Sequence, residues 1–388
     1  MTQKFLIPTL MFGVFSLLSM EFGAFGIIPI ISQEFSVSVA DAGWVVSIFA
    51  LIVAFTAPIS PLLVSKFNPQ SVMLVCLAVF SLSSLAAAFT TNFLLLLLLR
   101  ALPAFFHPVY FALALSVAAK SVPQSEMAGA VSKIFVAISA GMTLGVPLTS
   151  YIASKINLEA GFIFFALINA IAFFATIFFV KTQKQVQKTQ IKEQLYILTK
   201  PVVWFSMAVV IFALGGMTGF YSYMSEFLLN YTQIDFTLIS IVLFVYGLMN
   251  VVGNHLAGKL LVQRPKQTIF AVPFILLGFY IVLFFVGGFE YTTIALIAAL
   301  GVFVGIYNNA VHYMMTSPVP QAQEFANGLY TSTANIGVSL GTMLCGLFIT
   351  LSGSQFSVLA PICLIIATIV MVFIRAYPKA IKDKLQGS

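Results

Sequence analysis

Apolar residues along this chain come in runs of about 20, the length a helix needs to cross about 30 Å of hydrocarbon. Polar breaks bound spans near residues 5–31, 42–65, 70–90, 93–119, 128–153 and 160–180. After one longer polar stretch come spans near 202–228, 237–261, 267–288, 291–316, 325–350 and 355–377. A membrane β-barrel would instead alternate polar and apolar positions over runs of about 10 residues. The pattern therefore predicts an all-α membrane protein with twelve transmembrane helices. The first run follows Lys4 much as a signal peptide would. It continues to about Ile31 with no small-residue cleavage site, and so reads as a retained first helix.

Composition agrees with this pattern. Of 388 residues, 61% are hydrophobic and 7% charged, whereas a soluble domain carries about 25% charged residues. A water-soluble enzyme and a disordered chain are both excluded. The net charge of +7 matters less than where the charges fall. Sixteen of the 18 lysines and arginines lie in or beside the segments on the N-terminal side of the membrane; Lys155 lies on the other side and Arg100 within a span. The positive-inside rule then predicts cytoplasmic N- and C-termini in a multi-pass protein of the plasma or inner membrane. The basic residues are accounted for by topology, so no nucleic-acid partner is expected. The opposite ends carry Glu34, Asp41, Glu159, Glu226, Asp235 and Glu290, which read as solvated or capping carboxylates, with Asp41 and Asp235 as N-caps.

Cys76, Cys345 and Cys363 all fall inside apolar runs, so no disulfide framework or metal-ligand spacing is expected. With no Gly-rich phosphate loop, ATP-driven transport by this chain is not expected either. The sequence predicts no enzyme, no cofactor and no metal.

Residues 181–200 contain five lysines and no glycine. They read as a cytoplasmic basic linker between two six-helix bundles, residues 1–180 and 201–388. A weak repeat supports the division: Gly141 and Gly145 in span 5 recur as Gly337 and Gly341 in span 11. Glycines four apart share one helix face and let another helix approach closely. Two such halves with a site between them form a recurring transporter architecture.

The first two spans carry Met20-Glu21-Phe22, Ile28-Pro29, Glu34-Phe35, Ser38, Ala42-Gly43 and Ala57-Pro58. A second block runs from Arg100 through His107, Val122-Pro123 and Ala130 to Gly141, Gly145, Val146 and Pro147. Over essentially its whole length the chain resembles the major facilitator superfamily. The likeness is to the drug:proton antiporter branch of sugar-efflux, arabinose-efflux and purine-efflux permeases. The second block resembles that branch's arginine motif in span 4 and its glycine–proline antiporter motif in span 5. Several positions depart from the family pattern. Between spans 2 and 3, around Pro61, Lys66, Asn68, Pro69 and Gln70, Ser65 stands where the family carries an aspartate. Pro103 and Pro108 replace a polar residue and a glycine, and Thr149 replaces a glycine after Pro147.

Three ionisable residues lie deep within spans: Glu21, Arg100 and His107. A charge at mid-bilayer costs about 2.5–3.5 kcal/mol on insertion scales, so such residues should face a cavity or one another. At about 1.5 Å per residue, Glu21 lies about 20 Å below Glu34 and His107 about 22 Å below Asn92. The resemblance implies that spans 1 and 4 line the central cavity. There Glu21 is the expected proton carrier, with His107 assisting and Arg100 setting its affinity. The competing reading pairs Glu21 permanently with Arg100 as a helix clamp and leaves His107 on a neighbouring backbone group.

The second half offers neutral polar groups instead. Tyr221, Asn250, Asn254, Asn309 and Asn335 are the candidate substrate-binding residues, suited to a neutral or weakly polar solute. Hydrogen bonding between helices is their alternative use. The expected function is proton-coupled antiport, exporting a sugar, a nucleoside or purine, or an amphiphilic drug by alternating access. The alternatives are a proton-coupled importer and a non-transporting receptor. A monomer is the family-level expectation.

Overall fold

The computed structural model describes residues 2–60, 64, 66–181, 196–319 and 322–386. Twelve helices among these are long and apolar enough to cross a membrane. Spans 1 to 6 are Phe5–Glu34, Val39–Thr56, Pro69–Ala88, Phe93–Lys120, Gln124–Lys155 and Leu158–Phe179. Spans 7 to 12 are Pro201–Ser222, Phe236–Gln263, Pro265–Val286, Glu290–Thr316, Phe325–Ser352 and Ser354–Ala376. No strand occurs among the described residues. Pro61, Ser65 and most of the linker, residues 182–195, lie outside the described residues. The face carrying residues 66–68, 121–123 and 264 is called the linker side below, and the opposite face the far side.

Proline accompanies the breaks in spans 1, 2 and 4, because it lacks an N–H and leaves the carbonyl four residues earlier without a helical donor, whereas Pro8, Pro147 and Pro273 lie inside continuous helices. Span 1 is helical over Thr2–Gly23, tightens to a 3-10 turn at Ala24–Ile27 and resumes over Ile28–Glu34, with Pro29 in its first turn. Span 4 ends its first helix, Phe93–Ala104, at Pro103 and starts the second, His107–Lys120, just before Pro108. Span 2 stops at Thr56, short of the expected residue 65, because Pro58 follows. The Ala54 carbonyl that Pro58 leaves open accepts the Ser332 hydroxyl of span 11. Span 7 breaks at Tyr223 and continues as Met224–Asn230.

The capping expectations divide. Asp235 accepts the Thr237 amide at 2.7 Å and the Leu238 amide at 3.3 Å, as an N-cap should. At the head of span 2 the cap is Ser38, and Asp41 is its reciprocal partner, bonded to the Ser38 hydroxyl at 2.6 Å.

Within each half the glycine pairs bring helices into backbone contact. Span 5 lies on span 1: a methyl on Gly145 would fall 2.6 Å from the Ser19 Cα. Span 11 lies on span 7, where a methyl on Gly341 would run into the Gly215 carbonyl. Gly141 meets Leu18, and Gly337 meets the Ile211 carbonyl, in the same two seams.

Spans 2 and 5 of the first half pack against spans 11 and 8 of the second. Tyr223 donates to the Val39 carbonyl at 3.5 Å, Ser240 to Ser150 at 3.3 Å, and Thr143 to the Gly247 carbonyl at 3.3 Å. These contacts run from the far side towards the middle. At the linker-side ends of spans 5, 8 and 11, a side chain at Gly129, Gly258 or Gly328 would meet no atom within 4 Å.

Candidate functional site

Arg100, at the end of the first helix of span 4, is fully buried. It donates to the Met20 carbonyl at 2.9 Å, the Glu21 carbonyl at 3.3 Å and the Val45 carbonyl at 3.4 Å, and lies 5.1 Å from the centre of the Phe49 ring. Just beyond Met20 and Glu21, span 1 changes from α to 3-10 bonding, which opens carbonyls to outside donors. A guanidinium carries five donors in a fixed fork and can serve several carbonyls at once. Arg100 therefore ties span 4 to the backbones of spans 1 and 2.

Arg100 does reach Glu21, but through its backbone carbonyl, and the carboxylate itself turns elsewhere. The Glu21 carboxylate meets His107, with Nε2 3.0 Å from Oε2. The break at residues 105–106 explains the difference: it divides span 4 between Arg100 and His107, so the two do not share one continuous helix face. Neither ring nitrogen of His107 makes an aligned hydrogen bond; the two side chains meet as a close contact, an ion pair when the imidazole carries a proton. Phe49 stands edge-on to the imidazole at 5.7 Å and Phe80 lies tilted at 6.4 Å. The His107 side chain is 9% exposed and that of Glu21 11%. Water is thus nearly excluded, yet Glu21 retains an open edge.

Across the seam, three of the candidate substrate residues form one chain. Asn309 donates to Asn254 at 2.8 Å, and Asn254 to Asn250 at 3.2 Å. Span 10 can lie this close to span 8 because Gly253 and Gly305 sit where their backbones meet. Tyr221 stacks on Tyr246 at 4.7 Å and meets Phe25 of span 1 edge-on at 5.7 Å. Its buried hydroxyl has no partner. Asn335 does not join the chain; its amide donates to the Thr331 carbonyl of its own helix at 3.0 Å.

A second polar network joins spans 10 and 11. Tyr330 donates to Asn308 at 2.9 Å, His312 Nε2 lies 3.1 Å from Asn327 Oδ1, and the His312 and Tyr330 rings meet edge-on at 4.8 Å. The tandem Asn308-Asn309 thus turns one amide towards span 11 and the other towards span 8. Asn308, His312 and Asn327 were visible only as scattered polar residues; helical spacing gave no sign of their pairing across helices.

One acid departs from expectation. Glu226 is neither solvated nor a cap but 3% exposed, bonded to Asn230 at 2.7 Å and Ser354 at 2.8 Å. The break at Tyr223 turns its helix inward, which apolar periodicity did not show.

Twelve spans packed about a polar, partly enclosed seam are a build suited to a membrane transport protein. The family model of the Major Facilitator Superfamily matches residues 10–293 and 225–387, and the chain belongs to that family. It is similar to the uncharacterized MFS-type transporter YtbD of Bacillus subtilis (strain 168), 26% identical over 86% of each chain. It is also similar to a probable sugar efflux transporter of Helicobacter pylori (strain ATCC 700392 / 26695), 23% identical over 85% of this chain and 86% of that one. Among solved structures it shares the fold of a bacterial homolog of the human lysosomal transporter Spinster, in an inward-facing and unoccupied conformation. There the TM-score is 0.76 at 17% identity, with 97% of both chains covered.

Proposed function

We propose that this transporter exchanges protons for a small organic solute and exports the solute by alternating access. The carrying observation is the Glu21–His107 pair, 3.0 Å apart and nearly dehydrated beside breaks in spans 1 and 4. A proton on Glu21 removes the negative member of that pair, so spans 1 and 4 lose an attraction when the carboxyl is loaded. Arg100 acts as a positioning residue, holding the span 1 backbone that carries Glu21.

The solute engages the Asn250–Asn254–Asn309 chain and the unpartnered Tyr221 hydroxyl. These groups suit a neutral or weakly polar molecule such as a sugar or nucleoside, and an amphiphilic drug through the aromatic faces. The probable sugar efflux transporter among the relatives supports export. The halves 1–180 and 201–388 rock about the seam, with 181–200 as linker. The far-side contacts and the unfilled linker-side glycines correspond to a state open towards the linker side. The positive-inside bias of the basic residues supports a cytoplasmic linker side in the cell membrane, and a monomer is the working unit of this reading.

The test is proton movement in proteoliposomes under an imposed pH gradient, challenged with sugars, nucleosides and cationic or neutral drugs. Wild type should dissipate the gradient with one solute class and Glu21→Gln should not. Solute equilibration without proton movement in the wild type overturns the coupling.

A further inference from the structure

Glu226 has no part in the exchange described above, yet it is a buried carboxyl built into the seam. Its helix, Met224–Asn230, packs against Ala24–Ile27 and Ile28–Glu34 of span 1, against span 8, and against the turn Ser354–Val358 that opens span 12. Oε1 receives both hydrogen bonds, from Asn230 and Ser354. Oε2 is fully enclosed and has no donor. No lysine, arginine or histidine lies within ion-pair distance among the described residues.

A buried carboxylate with no countercharge and one bare oxygen is costly, because neither water nor a donor replaces its hydration. A proton on Oε2 removes the uncompensated charge, the larger part of that cost, and leaves Oε1 free to accept both bonds. The basic groups of span 8, His255 and Lys259, stand at its opposite, linker-side end and supply no cation here. The other titratable groups on the surrounding elements are Tyr221 and Tyr223 of span 7, Tyr231 and Asp235 ahead of span 8, Tyr246 within it, Glu34 closing span 1, and Asp41, which faces Tyr223. Lys155 stands by Asp235. Glu226 lies four residues, about 6 Å, from the far-side end of its helix. The Ala24–Ile27 turn that its helix touches begins three residues after Glu21.

We propose that Glu226 is a second proton-binding carboxyl, the far-side station of a path whose deep station is Glu21. It is shut off from water while the far side is closed and is hydrated when that side opens. The path rests on the coupling reading. The proton on Glu226 does not, and is tested without transport.

Infrared spectroscopy of the purified full-length protein reads protonated carboxyls directly. Glu226→Gln should remove a carboxylic-acid C=O band that wild type and Glu21→Gln both keep, and Glu226→Asp should shift it. An identical band in wild type and Glu226→Gln overturns the site. In proteoliposomes Glu226→Gln should slow solute-driven proton movement about 100-fold, within the usual contribution of a positioned proton-transfer group, with solute affinity unchanged. A wild-type rate overturns the station on the path. Failure of Glu21-dependent proton movement, with the Glu226 band present, overturns the coupling reading and leaves the protonated site standing.

Discussion

Arg100 donates to the backbone carbonyl of Met20 at 2.9 Å, and the carboxylate of the next residue, Glu21, goes to His107 instead. The separation assigns different work to two charges that lie close together. Arg100 braces the point where span 1 changes helix type. Glu21 is left with a partner whose own charge depends on a proton.

Replacing Arg100 therefore acts first on stability. Arg100→Lys keeps the charge but not the three-way fork, and Arg100→Ala removes the guanidinium's bonds to the carbonyls of spans 1 and 2. A hydrogen bond to a charged group contributes about 1.5–3 kcal/mol. Thermal unfolding in detergent should show both variants destabilised, Arg100→Ala the more, while the residual activity of Arg100→Lys keeps the wild-type pH profile.

His107→Gln keeps a polar side chain beside Glu21 and removes the imidazole. Histidine is the side chain whose ordinary charge change falls near neutrality. The pH profile of transport should lose a limb while solute affinity stays within about twofold, a small change on the affinity scale. An unaltered profile would reduce His107 to packing between Phe49 and Phe80.

Asn309→Ala breaks the amide chain at its span 10 end and leaves Asn254 without its donor. Solute binding to purified protein should weaken about tenfold, equivalent to about 1.4 kcal/mol. Asn335→Ala, whose amide bonds only its own helix, should bind nearly as wild type does.

Gly341→Ala drives a methyl into the Gly215 backbone of span 7. Overpacking a close seam costs about 1–3 kcal/mol, and neither backbone can yield without moving a whole helix. The expected outcome is a lower unfolding temperature, with loss of transport as the seam between spans 7 and 11 spreads. Gly328→Ala, which meets no atom, should leave stability unchanged.

Outside the membrane, the Asp235 carboxyl is held below its usual range by the backbone amides of Thr237 and Leu238. A group depressed in this way contributes above its unfolded value, and that contribution is lost as pH falls through its folded value. Protection of the Thr237 and Leu238 amides, taken relative to their intrinsic exchange rates at each pH, should therefore fall on acidification in wild type. In Asp235→Ala that protection should be low at every pH.

The sequence alone determined the number of spans and the family. Runs of about 20 apolar residues are obligatory in hydrocarbon, where each helix must satisfy its own backbone, and that demand is local to each segment. It also singled out Glu21, Arg100 and His107, since an ionisable residue in such a run is rare enough to notice. What it did not determine was which of the three partner one another. That followed from the breaks at residues 24–27 and 105–106, which turn side chains away from the faces a straight helix would give them. The burial of Glu226, the Asn308–Tyr330 and His312–Asn327 pairs, and the Ser332 bond to the carbonyl freed by Pro58 likewise arose only in the tertiary structure. Hydropathy registers how far a residue lies along its own span, whereas these contacts depend on which helix stands opposite and at what rotation. That is settled by packing between distant parts of the chain.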